Sequence, residues 1–349
     1  MKGSRTVKDQ ERVDSRRPVT RQDVARYAGV STAVVSYVVN SGPKAVAPAT
    51  RAKVLDAIRL LDYRPNAAAR ALKLGSTQLL GLVVPDSTNP YFAELSRAIE
   101  EAADAKGLAV LLTNSAGAAL QEGKLLQKLI SRQIDGLLLA SVGAVPDLSR
   151  VAAANIPVVL LDRDEGVSGL VAVGTDYRAG SQAGVRHLIE HGHTDIGLVV
   201  GRDNGGTIAA REAGWLGALA EAGLAEGPIA HVGFSREGGY EAGKRLLNRE
   251  RPPTAIFASS DMQAIGVLRA IHESDWSVPD DIAVISFDGS IESEFSWPPL
   301  TTIRQPVHEM ARAAIDALTR DRSDFRDEYL SYPTELIIRA SCGCHPVNR

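Results

Sequence analysis

The stretch from Val19 to Lys73, VTRQDVARYAGVSTAVVSYVVNSGPKAVAPATRAKVLDAIRLLDYRPNAAARALK, constrains the fold more strongly than any other part of the chain. Thr20 and Asp23 have the spacing of a capping box, in which each side chain accepts a hydrogen bond from the other residue's backbone N–H. This pair predicts a helix over Arg21–Ala28. Gly29 then ends the helix, because glycine readily adopts the left-handed conformation that follows a last helical turn.

A second and a third helix are predicted within the same stretch. Ser31 is a suitable N-cap, and Val35 and Val38 recur beyond it at helical spacing. The third helix is predicted from about Pro48 to Leu61, since proline is favoured in the first turn of a helix. Two helices joined by a short turn that contains glycine are typical of a helix-turn-helix, whose second helix enters the major groove of DNA.

The distribution of charge agrees with a polyanionic partner for this end of the chain. Residues 1–75 hold 15 Lys and Arg against 6 Asp and Glu, whereas the remaining residues hold 24 against 36. The N-terminal region therefore carries a net charge of +9 and the rest carries −12. Residues 1–17 mix charges without apolar periodicity, so we expect a mobile, solvated basic arm, with phosphate contacts from its arginines as the alternative.

From Thr77 onward, short apolar strands alternate with helices. LLGLVVP, LAVLLTN, DGLLLA and IPVVLLD are continuous apolar runs bounded by Gly, Pro or Asp, which is typical of strands covered on both faces. Helices are predicted between the first strands, near 93–106 and 121–132, and the alternation repeats further along the chain. This pattern predicts parallel sheets with helices on both sides, with ligands bound at the carboxyl ends of the strands.

The sequence also carries a resemblance to a known family. DVARYAGVS, VSYVVN, TRAKVLDAI, YRPN and ARALK occur in this order, and they resemble the headpiece of the LacI/GalR family of bacterial transcription repressors. HGHTDIGLV, PPLTTIRQP and TELIIRASC are similar to later segments of that family, so the resemblance covers nearly all of residues 18–342. It implies an α/β fold with an N-terminal all-α helix-turn-helix headpiece and a hinge helix, followed by a two-lobed core with parallel sheets like a type I periplasmic binding protein.

The resemblance implies boundaries for these parts. The headpiece is expected over residues 18–63, the hinge helix over 64–75, and the effector-binding and dimerisation core over 76–349. One lobe of the core is expected at about 76–176 and 305–331, and the other at about 177–304 and 332–349. The chain is expected to cross between the lobes near Asp176, Arg304 and Tyr332.

The family's base-reading positions fall at the start of the second helix. They correspond here to Thr32, Ala33 and Tyr37, which offer a hydroxyl, a methyl group, and a hydroxyl on a flat ring. Tyrosine cannot make the bidentate contact to guanine that arginine makes, so no relative's operator sequence carries over to this chain. The alternative for Tyr37, and for Val34 in the same turn of the helix, is packing within the headpiece rather than contact with DNA. Further DNA contacts are expected from Ser31, Ser36, Asn40 and Asn66.

The segment RPNAAARALKLG that follows is rich in alanine but too short to form a stable helix alone. In the family this hinge helix forms when two subunits pair on DNA, and a leucine from each subunit wedges into the minor groove and kinks the duplex. Leu72 matches the wedge, and Lys73 matches a neighbouring minor-groove or phosphate contact. A plain helical linker is the alternative.

For the core, the resemblance implies an effector cleft between the lobes. Its expected contacts are Tyr91, Phe92, Asp162, Arg211, Phe234, Ser260, Asp288 and Gln305. Arg211 is expected in the segment between a strand of the second lobe and the helix that bears Trp215. An aromatic platform, an arginine and two carboxylates suit a neutral ligand rich in hydroxyl groups, because carboxylates accept from hydroxyls and a guanidinium donates in a fork. A sugar or sugar derivative is therefore the expected effector. A purine is less favoured, since Gly205 stands where the purine-binding relative has a second arginine. A helix cap or a salt bridge between the lobes is the alternative role for each carboxylate.

No motif for catalysis, a cofactor or a metal is recognisable. GRDNGG follows a strand but lacks the G-x-G-x-x-G spacing and the G-K-S/T of a P-loop, so no nucleotide cofactor is expected. His187, His191 and His193 lie in one connecting segment and are expected to be structural. Cys342 and Cys344 are the only cysteines; with the histidine that follows they supply too few ligands for a metal, so free thiols are expected.

These patterns together predict a homodimeric repressor that binds a pseudo-palindromic operator in double-stranded DNA under allosteric control by a small molecule. A dimer is favoured over a tetramer because the chain ends at CGCHPVNR without leucine heptads. The N-terminus lacks the apolar region of a signal peptide and no apolar run approaches the ~20 residues of a membrane span, so a cytoplasmic, nucleoid-associated protein is expected. The alternatives are a global regulator with a vestigial cleft and a protein partner, a solute-binding protein, and a sugar-processing enzyme, which the lack of a nucleophile–base set disfavours.

Overall fold

The computed structural model describes residues 19–39, 45–64, 71–72, 75–141, 147–202, 205–320 and 327–344. These residues divide into two compact units, and the division follows Thr77. The expected basic arm and three of the expected DNA contacts, Asn40, Asn66 and Lys73, lie outside the described residues. No helix within the described ranges is long and apolar enough to cross a lipid bilayer.

The N-terminal unit contains the three predicted helices. They are α1 (Arg21–Ala28), α2 (Thr32–Val39) and α3 (Pro48–Leu60). The predicted capping box is confirmed at α1, where the Asp23 carboxylate accepts a hydrogen bond from the Thr20 N–H at 2.9 Å and the Thr20 hydroxyl accepts from the Asp23 N–H. Gly29 ends α1 with a φ of 67°. The Ser31 hydroxyl caps α2 by accepting from the Val34 N–H at 3.3 Å.

One small apolar core holds these three helices together. Its buried residues are Val24, Ala25, Val35, Val38, Val54, Ala57 and Tyr63. Val35 and Val38 lie three residues apart on one face of α2, so that face turns towards α1 and α3. The opposite face of α2 takes no part in this core.

The C-terminal unit contains two sheets, each with six strands among the described residues. The first sheet has the order β11-β5-β4-β3-β1-β2, and all of its pairings are parallel. In chain order its strands are β1 (Leu79–Val84), β2 (Ala109–Asn114), β3 (Gly136–Leu139), β4 (Val158–Arg163), β5 (Val171–Thr175) and β11 (Glu328–Tyr332). Its helices are α4 (Pro90–Asp104), α5 (Ala119–Ser131), α6 (Ser149–Ala153) and α12 (Val307–Leu318).

The second sheet has the order β12-β10-β9-β8-β6-β7, in which only β12 runs antiparallel to its neighbour. Its strands are β6 (Ile196–Val200), β7 (Ile229–His231), β8 (Ala255–Ala258), β9 (Ala283–Asp288), β10 (Thr301–Arg304) and β12 (Glu335–Ile337). Its helices are α7 (Tyr177–Glu190), α8 (Gly206–Glu221), α9 (Arg236–Leu247), α10 (Asp261–Glu273) and α11 (Ile291–Phe295), and a 3-10 turn follows at Ala340–Cys342. The predicted α/β class with two parallel-sheet lobes is confirmed.

The chain passes between the two sheets three times. It leaves the first lobe after β5, returns to it after β10, and leaves it again after β11. Apolar side chains cover both faces of each sheet; on β1, for example, Leu82 and Val83 point into different cores. Because both faces of each sheet are buried, most strands are continuous apolar runs in the sequence.

Strand β2 is the exception to that reading. LAVLLTN predicts a strand covered on both faces, but β2 lies at the edge of the first sheet and most of its residues are exposed or half-buried. Leu111 and Leu112 are each more than one-third exposed. The edge of the first sheet therefore carries an exposed apolar surface, which is uncommon at a free sheet edge.

Candidate functional site

The first candidate surface lies on α2. Thr32 and Ala33 in its first turn are exposed, and Ser36 and Tyr37 one turn later are half-buried. Because residues four apart share one face of a helix, these side chains lie together on the face opposite the buried valines. The structure thus gathers the expected base-reading residues on one face. Val34 is half-buried against the headpiece core, in line with its alternative role in packing.

Leu72 belongs to the expected hinge and is 88% exposed. Burial of a leucine side chain contributes roughly 1.5–3 kcal/mol, so full exposure forgoes that stabilisation. Residues 65–70 and 73–74 of the expected hinge lie outside the described residues. An exposed leucine at this position is available for contact with another surface.

The second candidate site is a cavity of about 950 Å³ between the two lobes of the C-terminal unit. Six of the eight predicted effector contacts line it: Tyr91, Phe92, Asp162, Arg211, Phe234 and Asp288. Each of these residues lies at or beyond the carboxyl end of a strand, where parallel sheets bind ligands. The fold therefore brings together side chains that are almost 200 residues apart in the sequence.

Tyr91 and Phe92 lie on the first turn of α4. This helix begins at Pro90, three residues earlier than predicted, because the Asn89 side chain accepts a hydrogen bond from the Tyr91 N–H at 3.0 Å. The two rings meet edge to face with their centroids 5.0 Å apart. They give the first lobe an aromatic wall on the cavity.

Asp162 is placed by a distortion of β4. The pairing of β4 with β5 shifts register between Leu161 and Arg163, and Asp162 is the extra residue, with a φ of 56°. A bulge of this kind turns a side chain away from the regular alternation of the strand. The Asp162 side chain accepts hydrogen bonds from the hydroxyls of Tyr91 at 3.2 Å and Tyr177 at 2.5 Å.

The two tyrosines keep their hydroxyl protons in this environment. Burial raises the pKa of Tyr91 and of Tyr177 well above the ordinary value, and the nearby charge of Asp162 raises both further. Both hydroxyls therefore donate to Asp162. Tyr177 is the first residue of α7, which packs on the second sheet, so its bond to Asp162 joins the two lobes.

Arg211 lies within α8, not in the segment before the helix as the sequence predicted. The helix begins at Gly206 and its N-cap, Gly205, offers no side-chain hydrogen bond, so no polar capping residue marks the start. The guanidinium carbon lies 4.5 Å from the ring centroid of Tyr177 and 4.7 Å from that of Phe287. These aromatic faces stabilise the buried cation.

Asp288 ends β9 beside this cation. Its carboxylate lies 3.7 Å from an Arg211 nitrogen and accepts a hydrogen bond from the Gln305 amide at 3.0 Å, and both charged side chains are 5% exposed. Burial raises the pKa of Asp288 well above its usual value, although the Arg211 charge opposes that rise. The 3.7 Å separation is too long for a hydrogen bond.

Two buried polar atoms in this group have no partner among the described residues. They are Nε of Arg211 and the side-chain oxygen of Gln305. The backbone is unusual here as well: Asp288 has a φ of 116°, and Gly289 follows with a φ of 72°. A Cβ on Gly289 would lie 2.5 Å from the Arg304 backbone, so only glycine fits this turn. Unsatisfied polar groups and rare backbone angles together are typical of binding sites.

Ser260 and Gln305 are the two predicted contacts that do not line the cavity. The Ser260 hydroxyl is buried and caps α10 by accepting from the Gln263 N–H at 3.2 Å, so it is used within the protein. Gln305 lies behind Asp288 and orients its carboxylate. In this structure the two residues support the wall of the cavity from behind, and their contact with an effector stays a prediction.

A buried carboxylate that no sequence pattern indicated, Asp261, lies beneath this wall. Asp261 accepts hydrogen bonds from the hydroxyls of Ser286 at 2.6 Å and Thr302 at 2.9 Å, and from both the N–H and the hydroxyl of Ser290 at 2.7 Å. Burial raises the pKa of Asp261 to about 6. Its bonds to Ser290 fix the loop that follows Asp288.

Other residues of the cavity were also missed. Tyr177 reaches Asp162 as described above, and further polar side chains lie on the rim or walls: Asp86, Asn89, Asn114, Ser141, Arg163, Arg202 and Thr207. Their position after apolar strands is the only signal that could have indicated them. The described lining is rich in carboxylate, guanidinium, amide and hydroxyl groups, which suit hydrogen bonding to a polar ligand.

Comparison with known proteins agrees with these two sites. Residues 20–66 match the family of bacterial regulatory proteins of the lacI family, and residues 185–342 match a periplasmic binding protein-like domain. The HTH-type transcriptional repressor PurR of Glaesserella parasuis is 36% identical over 334 residues, covering 92% of this chain and 98% of the relative. The chain belongs to the LacI family.

Other members of the LacI family extend this likeness. The PurR repressor of Haemophilus influenzae is 36% identical over 332 residues, with 92% of this chain and 98% of that relative covered. The Lac repressor dimer bound to operator and the anti-inducer ONPF matches with a TM-score of 0.81 at 29% identity, covering 93% of this chain and 99% of that one. These relatives are transcriptional repressors, and this LacI-family chain is a repressor rather than an enzyme.

Two structures of LacI-type regulators contain a bound saccharide. The complex of the transcriptional regulator CelR with cellobiose is 30% identical, with a TM-score of 0.68, and covers 93% of this chain and 100% of that one. A LacI-family regulator from Enterococcus faecium with bound ribose is 28% identical, with a TM-score of 0.69, and covers 75% and 98% of the two chains.

Proposed function

We propose that this LacI-family repressor is a homodimer that binds a pseudo-palindromic operator and is controlled by a sugar or sugar derivative bound between its lobes. The observation that carries the proposal is one cavity in which Arg211 and Asp288 of the second lobe face Asp162 and the aromatic wall of the first. A ligand there contacts both lobes at once.

The chemistry of the walls favours a ligand rich in hydroxyl groups. Ionised carboxylates only accept hydrogen bonds and a guanidinium only donates, while a sugar hydroxyl does both. Phe234 at the cavity offers an apolar ring to the C–H face of a sugar. The saccharide-bound regulators, which share the fold, support the same ligand class.

The exposed apolar surfaces of the core support the homodimer. On the second lobe, Ile291, Phe295 and Trp297 are each more than half exposed, and the first two lie on one face of α11. On the first lobe, β2 presents Leu111 and Leu112 at the sheet edge. Patches of this kind are typical of protein–protein contacts. The Lac repressor in the matching structure is a dimer on its operator.

The proposed control works through the bond that joins the lobes. A ligand that bridges Asp162 and Arg211 competes with Tyr177 for the Asp162 carboxylate, so the lobes take a different relative position when it binds. In a dimer this displacement changes the separation of the two hinge leucines. Coupling between two such sites is typically 1–3 kcal/mol, or about 5- to 150-fold in affinity. We place this activity in the cytoplasm, where the operator is.

The test selects DNA bound by the full-length protein from a random pool and then screens ligands by calorimetry. The panel contains mono- and disaccharides, sugar phosphates and, as the competing class, purine bases. We expect a half-site repeated about the centre of the selected DNA, and heat of binding from a saccharide only. Heat from a purine alone overturns the ligand class, and selection without any common sequence overturns the repressor assignment for α2.

Leu72→Ala tests the proposed wedge. We expect operator affinity to fall about 10- to 100-fold and the bend in the DNA to decrease, because the apolar wedge that offsets base unstacking is lost. Leu60→Ala, which shortens another exposed leucine of the N-terminal unit, is the control and is expected to leave both unchanged. Equal affinity and bending in Leu72→Ala and the parent protein would show that Leu72 is only part of a linker.

A further inference from the structure

A cluster of two imidazoles and two thiols lies at the C-terminal end of α7. It is not part of the cleft between the lobes. His187 and His191 are four residues apart and lie on one face of the helix end, with their ring centroids 4.6 Å apart. Cys342 and Cys344, more than 150 residues later, return to this face. The sequence predicted structural histidines and free thiols, because it did not show that the chain end meets α7.

The donor atoms of the cluster are close together. Nε2 of His187 lies 3.4 Å from Sγ of Cys342 and 3.5 Å from Sγ of Cys344, and these three atoms all lie within 4.8 Å of one another. Nε2 of His191 lies 3.1 Å from Sγ of Cys344. In a tetrahedral zinc site with Zn–S of about 2.3 Å and Zn–N of about 2.0–2.1 Å, neighbouring donors are separated by roughly 3.3–3.8 Å. The distances from His187 to the two sulfurs are close to that range, whereas His191 is close to Cys344 alone and has to move towards the ion to complete the set.

Hydrogen bonds alone do not account for all of these contacts. The acceptor nitrogen of a neutral imidazole has one lone pair, so Nε2 of His187 cannot accept a proton from both thiols at once. A metal ion held by His187, Cys342 and Cys344 accounts for both sulfur contacts of His187 at once, and His191, next to Cys344, is placed to supply a fourth ligand. Gly343, with a φ of 89°, turns the chain between the two cysteines so that both sulfurs face α7.

The surroundings resemble those of a structural metal site. Cys342 is buried, and its sulfur accepts a hydrogen bond from the Thr301 hydroxyl at 3.0 Å. Such contacts from neighbouring residues orient the ligands of a metal. Four protein donors leave no open position, which is typical of structural rather than catalytic zinc.

We propose that His187, His191, Cys342 and Cys344 bind one zinc ion in a Cys₂His₂ site that fastens the end of the chain to α7. Binding replaces the two thiol protons, which are released to solvent, and leaves both sulfurs as thiolate ligands. The site also fixes the helix whose first residue, Tyr177, contacts Asp162. Zinc binding at this site does not depend on which effector binds in the cleft.

The experiment uses the full-length protein, reduced and stripped of metal by a chelator, and titrates it with Zn²⁺ and separately with Co²⁺. We expect one zinc per chain by native mass spectrometry and the absorption bands of thiolate-bound tetrahedral cobalt. The thermal midpoint is expected to rise by about 5 °C or more at a hundredfold excess over the dissociation constant. Absence of a cobalt–thiolate band in the reduced parent overturns the proposal.

Variants at the cluster separate metal binding from general stabilisation. Cys344→Ser and His191→Gln, both at partly or fully exposed positions, are expected to bind cobalt and zinc at least about tenfold more weakly, because each removes one of the four ligands, and to show a smaller zinc-dependent rise in midpoint. The metal-free midpoint of each is expected to stay close to that of the metal-free parent. His272→Gln, at an exposed histidine of α10, is the matched control and is expected to bind metal as the parent does. Unchanged metal binding in both cluster variants also overturns the proposal.

Discussion

The two walls of the effector cleft differ in how completely their polar groups are satisfied. On the first lobe, Asp162 accepts from two tyrosine hydroxyls, one of them contributed by the other lobe. On the second lobe, Arg211 and Asp288 are buried 3.7 Å apart, and Nε of Arg211 has no partner among the described residues. On the first wall, the carboxylate of Asp162 is hydrogen-bonded without a ligand, whereas on the second wall the guanidinium of Arg211 keeps a donor for one.

This difference assigns the two walls different roles. Buried charges with incomplete partners gain the most when a ligand supplies the missing hydrogen bonds, so the second wall is expected to provide most of the binding free energy. A wall that is already satisfied gains little in affinity. Its bond between Asp162 and Tyr177 instead holds the lobes in the ligand-free arrangement, so it is expected to govern the response of DNA binding.

The largest effect is expected from Arg211→Ala. Removing the cation leaves Asp288 buried without its counter-charge and takes away the donor fork, so the effector concentration needed for half-maximal change in operator binding is expected to rise at least 100-fold. Fluorescence anisotropy with labelled operator measures this concentration. Arg178→Ala, at an exposed arginine of α7, is the control; equal losses in the two variants would contradict a special role for the second wall.

The pH dependence of the free energy of unfolding tests whether the Asp261 carboxyl group beneath the second wall is a buried charge. Because burial raises its pKa from 3.8 to about 6, the folded state holds this proton between pH ~4 and ~6 while the unfolded state has lost it. The free energy of unfolding therefore falls as the pH rises through this window, by about 3 kcal/mol from this group, and levels off above it. Asp261→Asn has no such titration.

Urea denaturation of parent and Asp261→Asn at several pH values isolates this contribution as the difference between the two curves. The parent is expected to lose stability relative to the variant between pH 4 and 6. A difference that stays constant over this range would show that Asp261 titrates as an ordinary carboxyl group.

Asp288→Asn is expected to weaken effector binding about 10- to 100-fold. The amide keeps the size of the side chain but removes the charge that pairs with Arg211 and accepts from ligand hydroxyls, and a hydrogen bond to a charged group contributes roughly 1.5–3 kcal/mol. Calorimetry with the saccharide found in the panel measures the change. Asp86→Asn, at another carboxylate of the cavity lining, provides the comparison and is expected to have a smaller effect.

Tyr177→Phe is expected to have the smallest effect on affinity and to act on the response instead. The variant keeps the ring against Arg211 but loses the hydroxyl that donates to Asp162 across the lobes. We expect operator affinity without ligand to change by about fivefold, since one hydrogen bond contributes about 1 kcal/mol, while saccharide affinity changes less. A larger change in saccharide affinity than in operator affinity would reverse the roles of the two walls.

Local signals predicted the N-terminal unit well. The capping box of Thr20 and Asp23 and the N-cap Ser31 act within four residues, so the sequence alone indicates where α1 and α2 begin. The alternation of apolar strands and helices likewise predicted both lobes. Where a helix start has no polar cap, as at Gly205 before α8, the prediction failed and Arg211 was assigned to the preceding segment.

The parts that the sequence could not predict depend on contacts between distant segments. The bulge that places Asp162, the hydrogen bonds of Asp261 and the meeting of His187 with Cys342 arise only when the sheets form. Residue type did indicate the carboxylates and the arginine of the cleft. It could not separate residues that line the cavity from Ser260 and Gln305, which support it from behind.

The most direct test of the account compares operator binding by the parent protein and Arg211→Ala, each with and without the saccharide that binds the parent. Fluorescence anisotropy at one fixed salt concentration gives all four affinities. We predict a change of about 5- to 150-fold with ligand in the parent, and none in Arg211→Ala at the same ligand concentration, with similar ligand-free affinities in both. An equal response of the two proteins, or no response to any saccharide in the parent, would contradict control of DNA binding through the second wall of the cleft.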